Sequence, residues 1–278
     1  MTAKLIDGKK VAKEIEDELQ KKVAQMPIPP KLSVVQVGED PASTSYIRAK
    51  ANAAERIGIT LTHHHLSSDI SKKELENLVN KLNKTEDGII VQLPLPTDYE
   101  SVLDLIEPEN DVDGFHPINL GKIVQESSGM KPCTPAGIIE LLSRTGNDPS
   151  GKNVVVVGRS TIVGKPISLL LLQKGMDATV TVCHSRTPDI HKFCKEADIL
   201  IVAVGYPDTV TKDMVKPGAV VIDVGVNRTD EGLVGDTSFD VRDVAGALTP
   251  VPGGVGPMTV VMLMSNVVEA ASKKQRLF

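Results

Sequence analysis

A few residues in the first half of the chain have the chemical types that bind and move protons. "SYIRAK" places Tyr46 and Lys50 four residues apart in a helical segment, so they share a face. An ammonium beside an aromatic ring can hold a ligand and titrate against it, although the same pair is also common as plain surface. "GIIVQLPLP" is an apolar strand that carries Gln92 just before two prolines, and a polar group in such a strand needs a partner. "DVDGF" adds Asp111 and Asp113 in a glycine-bearing loop, where aspartate also occurs for local turn reasons. An amine, an amide and a carboxylate together are the parts of an acid–base site.

The second half offers different chemistry. "VVVVGRSTIVGKP", residues 154–166, is an apolar strand ending in Gly158, followed by a helix start at Gly164. A buried parallel strand that ends in glycine lets backbone approach a ligand. The helix start then aims N–H groups and a positive dipole end at it. The usual G-x-G-x-x-G spacing is missing, so a tight turn with no ligand is the alternative. The next strand ends in His184-Ser185-Arg186-Thr187, without the acid that holds a ribose 2′-hydroxyl in NAD sites. A hydroxyl and a guanidinium suit a 2′-phosphate, and Arg159 can add a second positive charge. That favours NADP over NAD, against the alternative of a solvated loop. Two later strands end in "AVGYP" and "DVGVN", and "TPVPGGVGPMT" is a stiff glycine- and proline-rich stretch that is either a linker or a backbone-lined rim.

These groups must be positioned by elements. Val11, Ile15, Leu19 and Val23 recur every fourth residue and predict an amphipathic first helix. KLSVVQVG, ITLTHHHL and GIIVQLPLP read as strands, alternating with helices over Pro41 to Ile57 and SKKELENLVNKLN. Ser71 and Glu74 have the spacing of a capping box. After a break over residues 107–135, NVVVVG, ATVTVCHS, DILIVAVG and GAVVIDVG alternate with further helices, and MTVVMLMSNVVEAAS closes the chain. This is βαβ arithmetic and predicts parallel sheets. In the run His63-His64-His65 at most two rings share a side of a strand, and no carboxylate or cysteine is near in sequence, so no metal site is expected.

Bulk properties exclude several classes. At 278 residues the chain can form one large domain or two medium ones. Its net charge is −5 with no basic block, so nucleic acid is not an expected partner. The N-terminus has no apolar signal region, and no membrane span is expected. Three cysteines without a C-x-x-C fit a reduced, cytoplasmic protein. Aromatic residues make up only 3%, which asks for an aliphatic core of the kind a Val/Ile-rich parallel sheet supplies.

The set SYIRAK, VQLPLP, DVDGF, PCTP, VVGRSTIVGKP, CHSRT and PVPGGVGPMT, in this order over essentially the whole chain, resembles the bifunctional methylenetetrahydrofolate dehydrogenase/methenyltetrahydrofolate cyclohydrolase family. The resemblance implies an α/β protein of two domains with a cleft between them. Residues 1–122, completed by a C-terminal helix over 257–278, would be the folate-binding catalytic domain with a parallel sheet. Residues 123–256 would be a Rossmann-type NADP domain, and a homodimer would form largely through it. By the same resemblance Lys50 is the general acid/base, Tyr46 stacks on the substrate, Gln92 orients Lys50 and Asp113 holds the pterin. The backbone of Pro252, Gly253 and Gly254 would line the folate site. Gly158, Arg159, Ser160, Gly164, Ser185, Arg186, Val226 and Thr259 would receive NADP. At least one of Leu95–Pro96 and Val251–Pro252 is expected to be cis. Two other readings remain open at this point. One is a shikimate-dehydrogenase-like oxidoreductase, and the other is a non-enzymatic NADP-sensing module.

Overall fold

A computed structural model describes residues 2–230 and 232–275. In chain order the elements are β1 (Lys4–Leu5), α1 (Gly8–Val23), β2 (Lys31–Val37), α2 (Pro41–Ile57), β3 (Thr60–Leu66), α3 (Lys72–Thr85) and β4 (Gly88–Val91). Then come α4 (Pro117–Val124), α5 (Cys133–Arg144), β5 (Asn153–Val157), α6 (Gly164–Leu172), β6 (Thr179–Cys183), α7 (Ile190–Glu196) and β7 (Ile199–Val202). The chain closes with β8 (Val220–Asp223), β9 (Asn227–Thr229), β10 (Gly232–Val234), β11 (Ala247–Leu248) and α8 (Val255–Gln275). Two compact units result, Met1–Lys13 with Thr134–Thr259, and Glu14–Cys133 with Val260–Phe278.

The unit containing β5 is built on a parallel sheet of order β1-β11-β8-β7-β5-β6. Val154 to Val157 are all buried, as expected for a strand covered on both faces. Burying each such side chain stabilises by roughly 1.5–3 kcal/mol. The first residues of the chain join this unit because Lys4 and Leu5 pair with Ala247 and Leu248. That differs from the expected grouping of residues 1–122. A two-residue strand has no periodicity to detect, so this pairing leaves no mark in the sequence.

The other unit carries a parallel sheet of order β3-β2-β4. Val35, Val37, Leu75, Val79, Leu82, Ile89 and Val91 form its aliphatic core. The helix periodicity reads correctly, since Val11, Ile15, Leu19 and Val23 of α1 are all buried. The capping box at α3 is present in full: Ser71 Oγ accepts from Glu74 N, and Glu74 Oε2 accepts from Ser71 N. The third strand is shorter than GIIVQLPLP implied. It ends at Val91, and Gln92 leads into a cis Leu93–Pro94 bond. Val251–Pro252 is cis as expected, whereas the cis bond after β4 falls at Leu93–Pro94 and not at Leu95–Pro96.

Helix α8 is long and apolar enough to cross a membrane by composition, yet most of that stretch is buried inside the protein. Val261, Leu263, Met264, Val267 and Val268 are core residues. Strand β3 lies at a sheet edge. His63 stacks on His65 at 5.6 Å while His64 bonds Ser33 Oγ, as strand alternation requires. Among the described residues no cluster of three or more His, Cys, Asp or Glu could hold a metal.

Candidate functional site

In the unit containing β4, polar groups collect at the carboxyl edge of the three-stranded sheet. That edge is where open α/β sheets bind ligands. Gln92 is the residue after β4, and its N–H bonds Val35 O at 2.8 Å. Its side-chain Nε2 donates to Leu93 O at 3.1 Å. The amide orientation is therefore set, and Oε1 accepts from Lys50 Nζ at 3.0 Å. Lys50 is half-buried on α2, and Tyr46 stands one turn earlier, 55% exposed.

The Asp111–Gly114 loop lies against the same strand. Ile89 N donates to Asn110 O at 2.9 Å, and Ile89 pairs with Asp111 as a parallel bridge. Asp111 is buried and folds the loop around itself. Its Oδ1 accepts from Gly114 N at 3.1 Å, and its Oδ2 accepts from His116 N at 2.8 Å and Asn119 Nδ2 at 2.9 Å. Asn266 of α8 clamps the loop from behind, donating to Val112 O at 2.8 Å and Lys131 O at 2.9 Å. Gly114 is required here, because it has φ +77° and a Cβ would lie 2.5 Å from Pro132 N. Asp111 thus shapes the loop, which is the local turn role that aspartate in DVDGF already suggested, with Asn119 Nδ2 as its one side-chain partner among the described residues.

Lys50, Gln92, Asp111, Asp113, Phe115 and His116 line one cavity of about 600 Å³. Tyr46 is not part of its wall. Burial pushes the Asp113 carboxyl up; the Lys50 ammonium pulls it down, and Asp111 adds to the upward shift. The net direction is up, so the folded protein takes up this proton more readily than the unfolded chain does. Ionised Asp113 then destabilises the fold, and the penalty grows as pH rises from the unfolded value near 3.9 through the raised folded one. Asp113→Asn is expected to melt at a higher temperature than the native protein at pH 7. The gap should close toward pH 4. Calorimetry that shows the native protein more stable at pH 7 would remove this electrostatic reading.

The nucleotide-type features sit at the carboxyl edge of the six-stranded sheet. Gly158 has φ +124°, and a Cβ there would lie 2.2 Å from Ala203 O. A Cβ on Gly164 would lie 2.2 Å from Gly158 O. Both glycines keep this turn flat against the sheet. The start of α6 is not the open set of donors that the sequence implied. Ser160 Oγ accepts from Val163 N at 3.1 Å and Gly164 N at 3.3 Å, and Ser160 O accepts from Lys165 N at 3.0 Å. Pro166 has no N–H, and Ile167 N reaches Val163 O at 2.9 Å. The dipole end, the Ser160 hydroxyl hydrogen and the exposed Arg159 remain for an anion.

The turn after β6 closes on itself through His184 N to Thr187 Oγ1 at 2.9 Å and Arg186 N to His184 Nδ1 at 3.2 Å. Ser185 and Arg186 are left exposed. No carboxylate among the described residues takes up the guanidinium of Arg159 or Arg186. These features fit the phosphates of a dinucleotide. Val226 is 48% exposed after β8. Thr259 lies inside α8, its hydroxyl 2.8 Å from that of Thr134. Gly253 and Gly254 are buried against the start of α1, where Lys9 N donates to Gly253 O at 3.1 Å. With Pro252 they belong to the nucleotide-type unit, not to the one holding Lys50.

Known proteins match this division. Residues 6–113 match the tetrahydrofolate dehydrogenase/cyclohydrolase catalytic domain, and residues 132–275 match the NAD(P)-binding domain of the same name. The bifunctional protein FolD of Brevibacillus brevis is 51% identical, over 99% of this chain and all of its own length. The crystal structure of the bifunctional enzyme FolD-methylenetetrahydrofolate dehydrogenase/cyclohydrolase from Campylobacter jejuni superposes with a TM-score of 0.93. It is 43% identical, over 98% of this chain and 99% of that one. The Trypanosoma brucei methylenetetrahydrofolate dehydrogenase-cyclohydrolase, complexed with NADP cofactor and an inhibitor, gives 0.92 at 39% identity, with 99% of each chain covered. A catalytic and an NAD(P)-binding half, matched in order and nearly end to end, show that the chain belongs to the tetrahydrofolate dehydrogenase/cyclohydrolase family.

Proposed function

We propose that this enzyme oxidises 5,10-methylenetetrahydrofolate to the 5,10-methenyl cation with NADP and then hydrolyses the cation to 10-formyltetrahydrofolate. The observation that carries the reading is the Lys50–Gln92 contact on a cavity shared with Asp113. The oxidation removes a hydride from the carbon bridging N5 and N10, and NADP supplies the acceptor. No proton moves, so the protein's task in that step is alignment. Hydrolysis differs. Water adds to the cationic carbon and gives up a proton, the carbinol loses a second, the C–N5 bond breaks and N5 takes one proton back. One proton is released in net. Lys50 would carry these protons, and its contact with Gln92, which directs the amine, supports that role. Asp113 holds the pterin and Tyr46 stacks on the substrate.

NADP would be held by Arg159, Ser160, Ser185 and Arg186 at its phosphates, with Gly158 and Gly164 giving close approach and Val226 and Thr259 completing the site. The relative from Trypanosoma brucei with NADP bound supports this choice. Absorbance assays with methylenetetrahydrofolate and NADP, and separately with methenyltetrahydrofolate alone, test the whole reading. Coenzyme binding without turnover would leave a sensing module, and reduction of NADP without hydrolysis would leave a simple dehydrogenase.

A second copy of the chain is the expected partner, paired through the nucleotide-type unit. Strand β6 is its unprotected edge, with Val182 39% exposed, and an open edge is a template for pairing. A monomer in sedimentation equilibrium at micromolar concentration would remove that assignment. Cys133, Cys183 and Cys194 are all free and buried, which fits a reducing, cytoplasmic setting.

A further inference from the structure

Two carboxylates are buried at the carboxyl edge of the six-stranded sheet, and neither the folate chemistry nor the phosphate contacts use them. Asp223 ends β8, and Asp236 lies two residues beyond β10. Asp236 is fully buried and Asp223 is 3% exposed. A buried carboxylate is tolerated only when donors replace its lost water. Here they do. Asp236 Oδ2 accepts from Val204 N at 2.7 Å and Gly205 N at 2.9 Å, and its Oδ1 accepts from Asn227 Nδ2 at 2.9 Å. Asp223 Oδ1 accepts from Asp236 N at 2.9 Å and Gly225 N at 3.2 Å. Its Oδ2 accepts from Thr237 N at 2.9 Å and Thr237 Oγ1 at 2.7 Å.

The two acids interlock. A Cβ on Gly225 would stand 1.9 Å from Asp236 Oδ1, and one on Gly235 would stand 2.0 Å from Asp223 Oδ2. Each carboxylate occupies space that the glycine near the other leaves open. What the pair holds is also informative. Val204 and Gly205 form the exit of β7, and Gly225 and Val226 form the exit of β8. Ladder hydrogen bonds already fix both strands, with register through Val202 and Asp223. Asp236 ties Val204 N and Gly205 N, and Asp223 ties Gly225 N together with the Asp236–Thr237 segment; the exits so held leave apolar side chains in water. Val204 is 47% exposed, Val226 48% and Tyr206 71%.

We infer that Asp223 and Asp236 are positioning residues for the coenzyme, setting the exits of β7 and β8 so that Val204 and Val226 present apolar faces to a flat ring at the sheet edge. The inference rests on the reading of this unit as the NADP site. Ligands of open parallel sheets lie beyond the strands' carboxyl ends, so these two exits border the bound molecule. A rigid backbone there keeps the contact geometry from drifting.

The test uses Asp236→Asn in the full-length enzyme. Its amide replaces one acceptor with a donor, so it must face a donor either at Val204 and Gly205 or at Asn227. NADP titration should give a dissociation constant at least tenfold weaker than native. Hydrolysis of methenyltetrahydrofolate, which needs no coenzyme, should stay within twofold. Should Asp236→Asn fail to fold, Asn227→Ala removes the amide that donates to Asp236 Oδ1 and to Gly235 O and should weaken NADP at least threefold. Unchanged NADP affinity in whichever variant folds overturns the inference. So does a parallel loss of hydrolysis and NADP binding, because the pair would then only support the fold. A native protein that binds no NADP refutes the underlying assignment of the unit, and is read before any variant.

Discussion

Lys50→Met abolishes most of the hydrolysis and spares most of the oxidation: that is the expected result, and the proton inventory of the two steps dictates it. Hydride transfer needs alignment only. Hydrolysis needs a group to take protons from water and return one to N5. Among the described residues that line the cavity, Lys50 is the one amine, 3.0 Å from Gln92 Oε1. Gln92 cannot substitute for it, since an amide does not titrate in this range and its own Nε2 is committed to Leu93 O. Loss of a general base typically lowers the rate by about 10²–10⁴-fold. Methionine keeps the chain length and apolar stem, so the cavity wall persists. Methenyltetrahydrofolate should then accumulate during NADP reduction and be seen by its own absorbance, while the dehydrogenase falls far less. Equal losses in both rates would mean that Lys50 only positions folate.

How far the sequence reached depends on how local each feature's cause is. The α1 stripe, the Ser71–Glu74 box and the four valines of β5 are each decided within a few residues, and all three appear where expected. Gln92 was visible as a polar residue interrupting an apolar run, although its place just past the strand depends on where the ladder to β2 stops. Long-range causes were invisible. Pairing of β1 with β11 joins residues more than 240 positions apart through two residues on each strand. The work of Asp223 and Asp236 is done mostly on backbone N–H groups, which every residue has, so their side-chain type alone gave no sign of it. The helix start at α6 was read by analogy with open dinucleotide turns. In this chain Ser160 occupies those donors, and that outcome depends on a rotamer the sequence does not display.

That closed helix start sharpens the coenzyme prediction. With Val163 N and Gly164 N already bonded to Ser160 Oγ, the proposed site would lean on side chains beside the dipole end, and discrimination between NADP and NAD is expected from those near the 2′ position. Ser185 and Arg186 stand exposed after β6, on a turn held rigid by His184 and Thr187, and Arg159 is exposed after β5. His184 to Thr187 carry no acid to hold a ribose 2′-hydroxyl; the first acid is Asp189, immediately before α7. The native enzyme is therefore expected to prefer NADP. A hydrogen bond to a charged group contributes about 1.5–3 kcal/mol, and each 1.4 kcal/mol is a factor of ten. Arg159→Ala should thus lower kcat/KM for NADP by about 10–100-fold and leave NAD nearly unchanged. Ser185→Asp should do at least as much, because it removes a donor and sets a negative charge against the 2′-phosphate. The same carboxylate can accept from a ribose 2′-hydroxyl, so activity with NAD should hold or rise, and the preference should invert. Ratios of kcat/KM for the two coenzymes in the native enzyme and both variants decide the matter. Equal kinetics with NADP and NAD in the native enzyme would sink the assignment. Equal losses for both coenzymes in Ser185→Asp would show that the β6 turn supports the nucleotide as a whole without reading its 2′ position.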